Sequence, residues 1–341
     1  MLNQGDRGIG RAVPTRPRAR SDAAYLRVGA AVVLYAISAA CWIGYELSES
    51  GAVSGSFFKA LYDPRTEVTP WAQTASDWAL IAAALVFGGL ALARRQVARG
   101  ALMLLAVLLI GLSLRELVGL ALSPEYRQVL ENIGYGRLLV AFRVAGLVVG
   151  VAALVEMARA GRRSAPRHLS LVPLGAAGAP GFGPPRLPGS RVRPRSAVAG
   201  SCFLAIGAVL LGWLVHALAQ DNGYLVPGHP DAGVPGFFRD AFDASYATTI
   251  PNSYYTLAFA LAPVLIGIAL FRGAPAARGA GLALSAITLY VDARTSYGYF
   301  AQDRFDLYFD STLSTLSVLS TFLTTLLALA ALAVLVPARE E

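Results

Sequence analysis

The side chains with the most chemistry to offer are charged and hydroxyl groups set inside apolar stretches. Leu112-Ser113-Leu114-Arg115-Glu116-Leu117 places an arginine beside a glutamate in an aliphatic run, and Asp292, Arg294, Thr295 and Ser296 occupy matching positions farther along the chain. Gly281, Ser285, Thr288, Asp292, Thr295 and Tyr299 follow one another at spacings of 4, 3, 4, 3 and 4, which is one face of a helix. Asp310, Ser314, Ser317, Thr321, Thr324, Ala328 and Ala331 repeat that spacing, so two polar stripes are available to meet. Asp292, the only acid at depth among these hydroxyls, suits a cation, a proton or a small polar solute. The same stripes also serve close packing, because small and hydroxyl residues let helix backbones approach. The expected path residues are Asp292, Ser285, Thr288, Thr295, Ser317 and Thr321. The counterparts of the Gly281-to-Tyr299 stripe in the first half, Leu102, Ala106, Leu109, Ser113, Glu116 and Leu120, are mostly apolar, so a single site belongs to the second half.

Arg115, Glu116 and Arg294 form a second group. Adjacent Arg115 and Glu116 point about 100° apart on a helix, and Asp292 and Arg294 about 200° apart, so neither pair is expected to bond within its own helix. Pairing across the molecule, Arg115 with Asp292 and Arg294 with Glu116, would make either a static clasp or a gate. Both arginines lie about 22 Å along their helices from Gly100 and Gly279, near enough to the outer surface to reach headgroups. Pro263 inside Leu261-Ala262-Pro263-Val264 frees a backbone carbonyl, either as a plain kink or as a broken-helix site. Arg143 reads as an anchor at the outer interface.

Other chemistries are poorly supplied. The three histidines, His168, His216 and His229, form no ligand pair, and neither a Gly-x-Ser-x-Gly elbow nor a phosphate loop is present. Neither Gly8/Gly10 nor Gly181/Gly183 follows a strand, so no nucleotide loop is read there. No catalytic residue, metal or cofactor is expected, and the protein is not expected to be an enzyme. Cys41 and Cys202 sit at different depths and should not pair.

These residues are carried by elements of one kind. Of 341 residues, 55% are hydrophobic and 15% charged, and the mean hydropathy is +0.54, which excludes an ordinary soluble domain. Eight apolar runs of bilayer-spanning length cover 25–47, 77–94, 101–122, 137–158, 198–219, 253–271, 280–300 and 312–336. They are continuous and lack a period of two, which excludes an outer-membrane barrel. Ser38-Ala39-Ala40-Cys41 lacks the aliphatic residue of a lipoprotein cleavage site, so the first run should be retained. With the N-terminus inside, 19 of the 29 Lys and Arg face the cytoplasm. Lys59, Arg65, Arg127, Arg137, Arg239 and Arg304 lie outside, and Arg27, Arg115, Arg143 and Arg294 fall in the runs. Both termini are therefore expected in the cytoplasm of a multi-pass protein of the cell (inner/plasma) membrane. The net charge of +8 reflects arginines facing an anionic leaflet and does not point to nucleic acid.

Phe57-Phe58-Lys59, Tyr62 and Asp63 recur as Phe237-Phe238-Arg239, Phe242 and Asp243 at an offset of 180. Ala98-Arg99-Gly100 recurs as Ala277-Arg278-Gly279, Arg115 as Arg294 and Glu131 as Asp310, all at 179. The expected fold is all-α, two parallel four-helix repeats in a 4+4 pseudo-twofold bundle. Its parts are a basic disordered tail (1–24), a first membrane repeat (25–158), a disordered Pro/Gly/Arg-rich cytoplasmic linker (159–197), a second repeat (198–336) and a short tail (337–341). The repeated Phe/Tyr motif makes one apolar face, either an amphipathic helix in the outer headgroups or a lid over an outer cavity. Two functions fit: a permease-like transporter of a small polar solute, ion or proton, or a non-catalytic subunit or scaffold of a membrane complex. Expected partners are the lipid bilayer and either other membrane proteins or a second copy of the chain.

Overall fold

Long Ala- and Leu-rich runs satisfy their own backbone groups as helices, which is the condition for entering lipid. The computed structural model describes residues 17–49, 58–59, 61–63, 75–122, 124–132, 136–164, 194–219, 252–301 and 309–336. The expectations for residues 1–16, for 165–193 with His168, for His229, for the second copy of the aromatic motif at 237–243 and for 337–341 lie outside them.

In chain order the helices are α1 (Pro17–Glu49), α2 (Ala75–Leu92), α3 (Val97–Leu122), α4 (Pro124–Asn132), α5 (Gly136–Ser164), α6 (Pro194–Ala219), α7 (Asn252–Phe271), α8 (Ala277–Phe300) and α9 (Thr312–Leu335). The protein is an all-α membrane protein. Five of its described helices are long and apolar enough to cross a bilayer: α1, α3, α5, α6 and α9. The apolar parts of α2 and α7, Trp78–Leu92 and Thr256–Phe271, are shorter, and α8 carries Arg278, Asp292 and Arg294 along its length. Large apolar side chains such as Leu34, Val148, Leu265 and Leu326 point outward, as suits a lipid-facing surface. α4 was not anticipated. It starts with a proline, which is tolerated in a first turn, and its Leu130 is buried with Trp42 and Leu139.

The helices pack in matched pairs: α1 on α2 and α6 on α7, α3 on α5 and α8 on α9, α1 on α5 and α6 on α9. α3 and α8 cross between the two groups. One core gathers Val28, Val32, Phe87, Leu102, Leu105 and Met157, and the other Phe203, Ile206, Ile266, Leu284 and Leu335. Leu104, Phe259 and Leu282 touch both cores.

Two turns are alike in detail. After α2, Arg94 takes φ 58, its N–H bonds Ala91 O at 2.8 Å, and Arg95 N–H bonds Leu90 O at 2.9 Å. After α7, Gly273 takes φ 66, its N–H bonds Leu270 O at 3.0 Å, and Ala274 N–H bonds Ala269 O at 2.9 Å. Both are Schellman ends that reverse the chain into the next helix. The α3–α8 crossing is set by glycine. A Cβ at Gly100 would strike Ala276 O, and one at Gly279 would strike Val97 O, so only bare backbone fits there. Arg99 Nε donates to Met157 O in the last third of α5 (3.0 Å), and Arg278 Nε donates to Leu335 O at the end of α9 (3.1 Å). Arg278 thereby satisfies a terminal carbonyl of α9, whereas Arg99 reaches a carbonyl two turns before the end of α5.

Candidate functional site

The polar face of α8 meets the polar face of α9. Ser311 opens α9 as an N-cap, accepting the Ser314 N–H at 3.1 Å, and the helix then presents Ser317, Thr321, Thr324 and Thr325. Asp292, part-buried, receives both central hydroxyls on a single oxygen: Thr324 Oγ1 lies 2.8 Å and Thr325 Oγ1 3.3 Å from its Oδ2. Oδ1 accepts no hydrogen bond among the described residues. Each hydroxyl also lies within reach of the Thr321 carbonyl, at 3.0 Å for Thr324 and 2.8 Å for Thr325.

Toward the end of α8 that adjoins the 301–309 connection, Tyr299 Oη lies 3.3 Å from Thr321 Oγ1. Thr321 itself donates to Ser317 O at 3.0 Å, and Thr295 donates back to Val291 O at 2.9 Å. Trp213 of α6 adds a bond to Ser320 Oγ at 2.9 Å and stacks edge-on with His216. In the other direction, Thr288 and then Ser285 lie one and two turns from Asp292. Ser285 is fully buried, and its hydroxyl has no hydrogen-bond partner among the described residues. The structure thus brings Asp292, Tyr299, Thr321 and the unanticipated Thr325 together, with Thr324 from the recognised stripe. Thr295 and Ser317 lie on the seam with local bonds only. Periodicity missed Thr325 because it sits one residue off the stripe; the adjacent threonines were the available signal.

The charged group is arranged differently from expectation. Arg115 Nη1 bonds its neighbour Glu116 Oε1 at 2.7 Å, with the two side chains 3% and 10% exposed. The 100° between adjacent Cβ vectors is bridged by the length of the arginine, and burial makes separation of the two charges costly. Among the described residues Asp292 bonds Thr324 and Thr325, and Glu116 bonds Arg115. Arg294 lies in the field of Tyr290 on its own helix and of Asp63, a residue 1% exposed in the short aromatic segment at 58–63. That segment is fastened to α8 by Tyr290 Oη, which donates to Leu61 O at 2.8 Å, and by an edge-on contact of Tyr62 with Tyr297. Sequence periodicity gave no sign of Tyr290 in this role. A cavity of about 390 Å³ lies beneath, between Leu61, Trp78, Phe87, Ile287 and Tyr290.

At an offset of 179 from Asp292 lies Ser113, fully buried and with no hydrogen-bond partner among the described residues. The counterpart of Thr325 is Gly146, where a Cβ would lie 2.7 Å from Tyr35 Oη and 2.8 Å from Ser113 Oγ. Ser113 of α3 thus lies against the bare backbone of Gly146, and Asp292 of α8 against Thr325. Pro263 is buried within a continuous α7. Arg143 lines a small pocket with Tyr35, Leu109 and Phe142. Both cysteines are free, and no group of three metal-ligating side chains occurs among the described residues. No protein-family model, curated protein or solved structure matches this chain.

Proposed function

We propose that this chain is a permease-like transporter of a small polar solute, ion or proton, moving its cargo along the α8–α9 seam with Asp292 as the binding or protonation residue. The observation that carries this is a carboxyl group in a helix of the membrane bundle with no ion pair among the described residues. Both of its hydroxyl donors go to one oxygen, and the other oxygen is left open to a transported species. An acid placed so is expensive in lipid and is kept for function by default. Ser285, with its unsatisfied hydroxyl about 10 Å along the same face, continues the path.

In this reading the protein has eight spans in a 4+4 pseudo-twofold arrangement, sits in the cell membrane and keeps both termini in the cytoplasm. The paired Schellman turns, the reciprocal Gly100 and Gly279 contacts and the matched Arg99 and Arg278 bonds, all at an offset of 179, support the duplication. α2, α7 and α8 are the three further spans, and each packs against neighbouring helices of the bundle. One observation favours the alternative of a non-catalytic membrane subunit: the Tyr299–Thr321 contact closes the seam, as a packing interface would.

Single cysteines at Ser285, Thr288, Asp292 and Ile287 in a cysteine-free background, treated with a membrane-impermeant thiol reagent, separate the two. Labelling at 285, 288 and 292 with protection at 287 is the expected result. Protection at all four would make the seam a packing interface and end the transport reading.

A further inference from the structure

We infer that the species exchanged at Asp292 is a proton, and that Thr324 and Thr325 are hydroxyl rotors that let the carboxyl be charged or neutral with no movement of heavy atoms. This rests on the α8–α9 path proposed above and names its cargo. Each threonine hydroxyl owns one hydrogen and has two acceptors within reach, Asp292 Oδ2 and Thr321 O. When Asp292 is ionised, both hydrogens turn to Oδ2. The Thr321 carbonyl then keeps its ordinary helical bond from the Thr325 N–H, so nothing is orphaned. When a proton arrives, it resides on Oδ2 and is donated to Thr324 Oγ1 across the same 2.8 Å, while both hydroxyl hydrogens return to Thr321 O. The heavy-atom geometry serves both states, as a site that repeatedly loads and unloads a proton requires.

The surrounding charges leave the proton as the economical neutraliser. α9 has no titratable side chain along its whole length. α3 brings Arg115 and Glu116, which bond each other. α7 contributes only Tyr254 and Tyr255, and α2 only Asp77, whose side chains lie outside the described residues; α6, beyond α9, carries Arg195, Cys202 and His216. α8 itself adds Tyr290, Tyr297, Tyr299, Arg278 near its start, and Arg294, which feels Asp63, with Lys59 beside it on the aromatic segment. A dehydrated divalent cation would need about six oxygens, and one carboxylate with two hydroxyls falls well short.

Infrared difference spectra of the full-length protein in lipid vesicles, recorded between mildly acidic and mildly alkaline buffer, test this directly. The carbonyl band of a protonated carboxyl should grow on acidification, shift with carbon-13 labelling of aspartate, disappear in Asp292→Asn, and change frequency in Thr324→Val with Thr325→Val. The isotope shift keeps the test sound if Asp292→Asn fails to fold. Absence of any aspartate-sensitive band across the range would overturn the proposal. The thiol-labelling experiment separates the two failures. Labelling with no band would leave the path and refute the proton, whereas a band with no labelling would leave a protonatable site and refute the path.

Discussion

Breaking the Arg115–Glu116 pair should be among the most damaging changes available in this protein that creates no cavity. At 2.7 Å and an effective dielectric near 20, two unit charges attract by about 6 kcal/mol. The two side chains also give up water to reach 3% and 10% exposure, which consumes part of that attraction. Removing one partner leaves the other's charge in a dry setting, so Glu116→Gln or Arg115→Met should each cost about 3 to 5 kcal/mol of unfolding free energy. The double variant should cost far less than the sum, with a coupling energy of about 2 to 3 kcal/mol. Titration of the purified protein in mixed micelles with a denaturing detergent measures all three. The cycle of Glu116→Gln with Arg294→Met is the comparison and should show the smaller coupling, because the partner of Glu116 at 2.7 Å is Arg115. Additivity of Arg115 with Glu116, or strong coupling of Arg294 with Glu116, would refute this account of the buried charges.

The glycines divide sharply. Gly100→Ala and Gly279→Ala force a Cβ into the backbone of the crossing helix and should each destabilise by about 1 to 3 kcal/mol in the same titration. Gly89→Ala, where a Cβ meets nothing within 4 Å, should stabilise by up to about 1 kcal/mol through helix propensity. Arg94→Gly removes a left-handed non-glycine residue, as Gly273 already does in the matching turn, and loses only an exposed pair with Asp22. A net gain of about 0.5 to 1 kcal/mol is expected, read as a higher unfolding midpoint. In detergent, a small uncharged maleimide should modify exposed Cys41 rapidly and buried Cys202 only on unfolding, as followed by intact mass.

Most helices were visible in the order of residues, because an apolar run long enough to span lipid has few other ways to satisfy its backbone. α8 was visible too, and so was its polar stripe, since a period of 3.6 fixes which residues share a face. The partners on that face were less so. Thr324 and Thr325 both reach Asp292 because α9 is rotated to place two consecutive side chains against it, and that rotation is set by packing with α6 as well as α8. Arg115 and Glu116 defeated the angular argument for a related reason. Cβ directions constrain short side chains, but a long guanidinium in a buried place follows the energy of charge separation.

The sequence by itself determined that this is a helical membrane protein, which residues lie on the polar faces of α8 and α9, and that similar segments recur about 179 residues apart. These are local properties, readable from hydropathy, period and spacing. Only the tertiary structure decided which oxygen of Asp292 is occupied, that the distant segment carrying Asp63 is fastened to α8 through Tyr290, and that Gly100 and Gly279 mark a crossing of bare backbones. Those facts depend on helix rotation and approach to within an ångström or so. No single segment carries that information, because it arises when all the helices pack against one another at once.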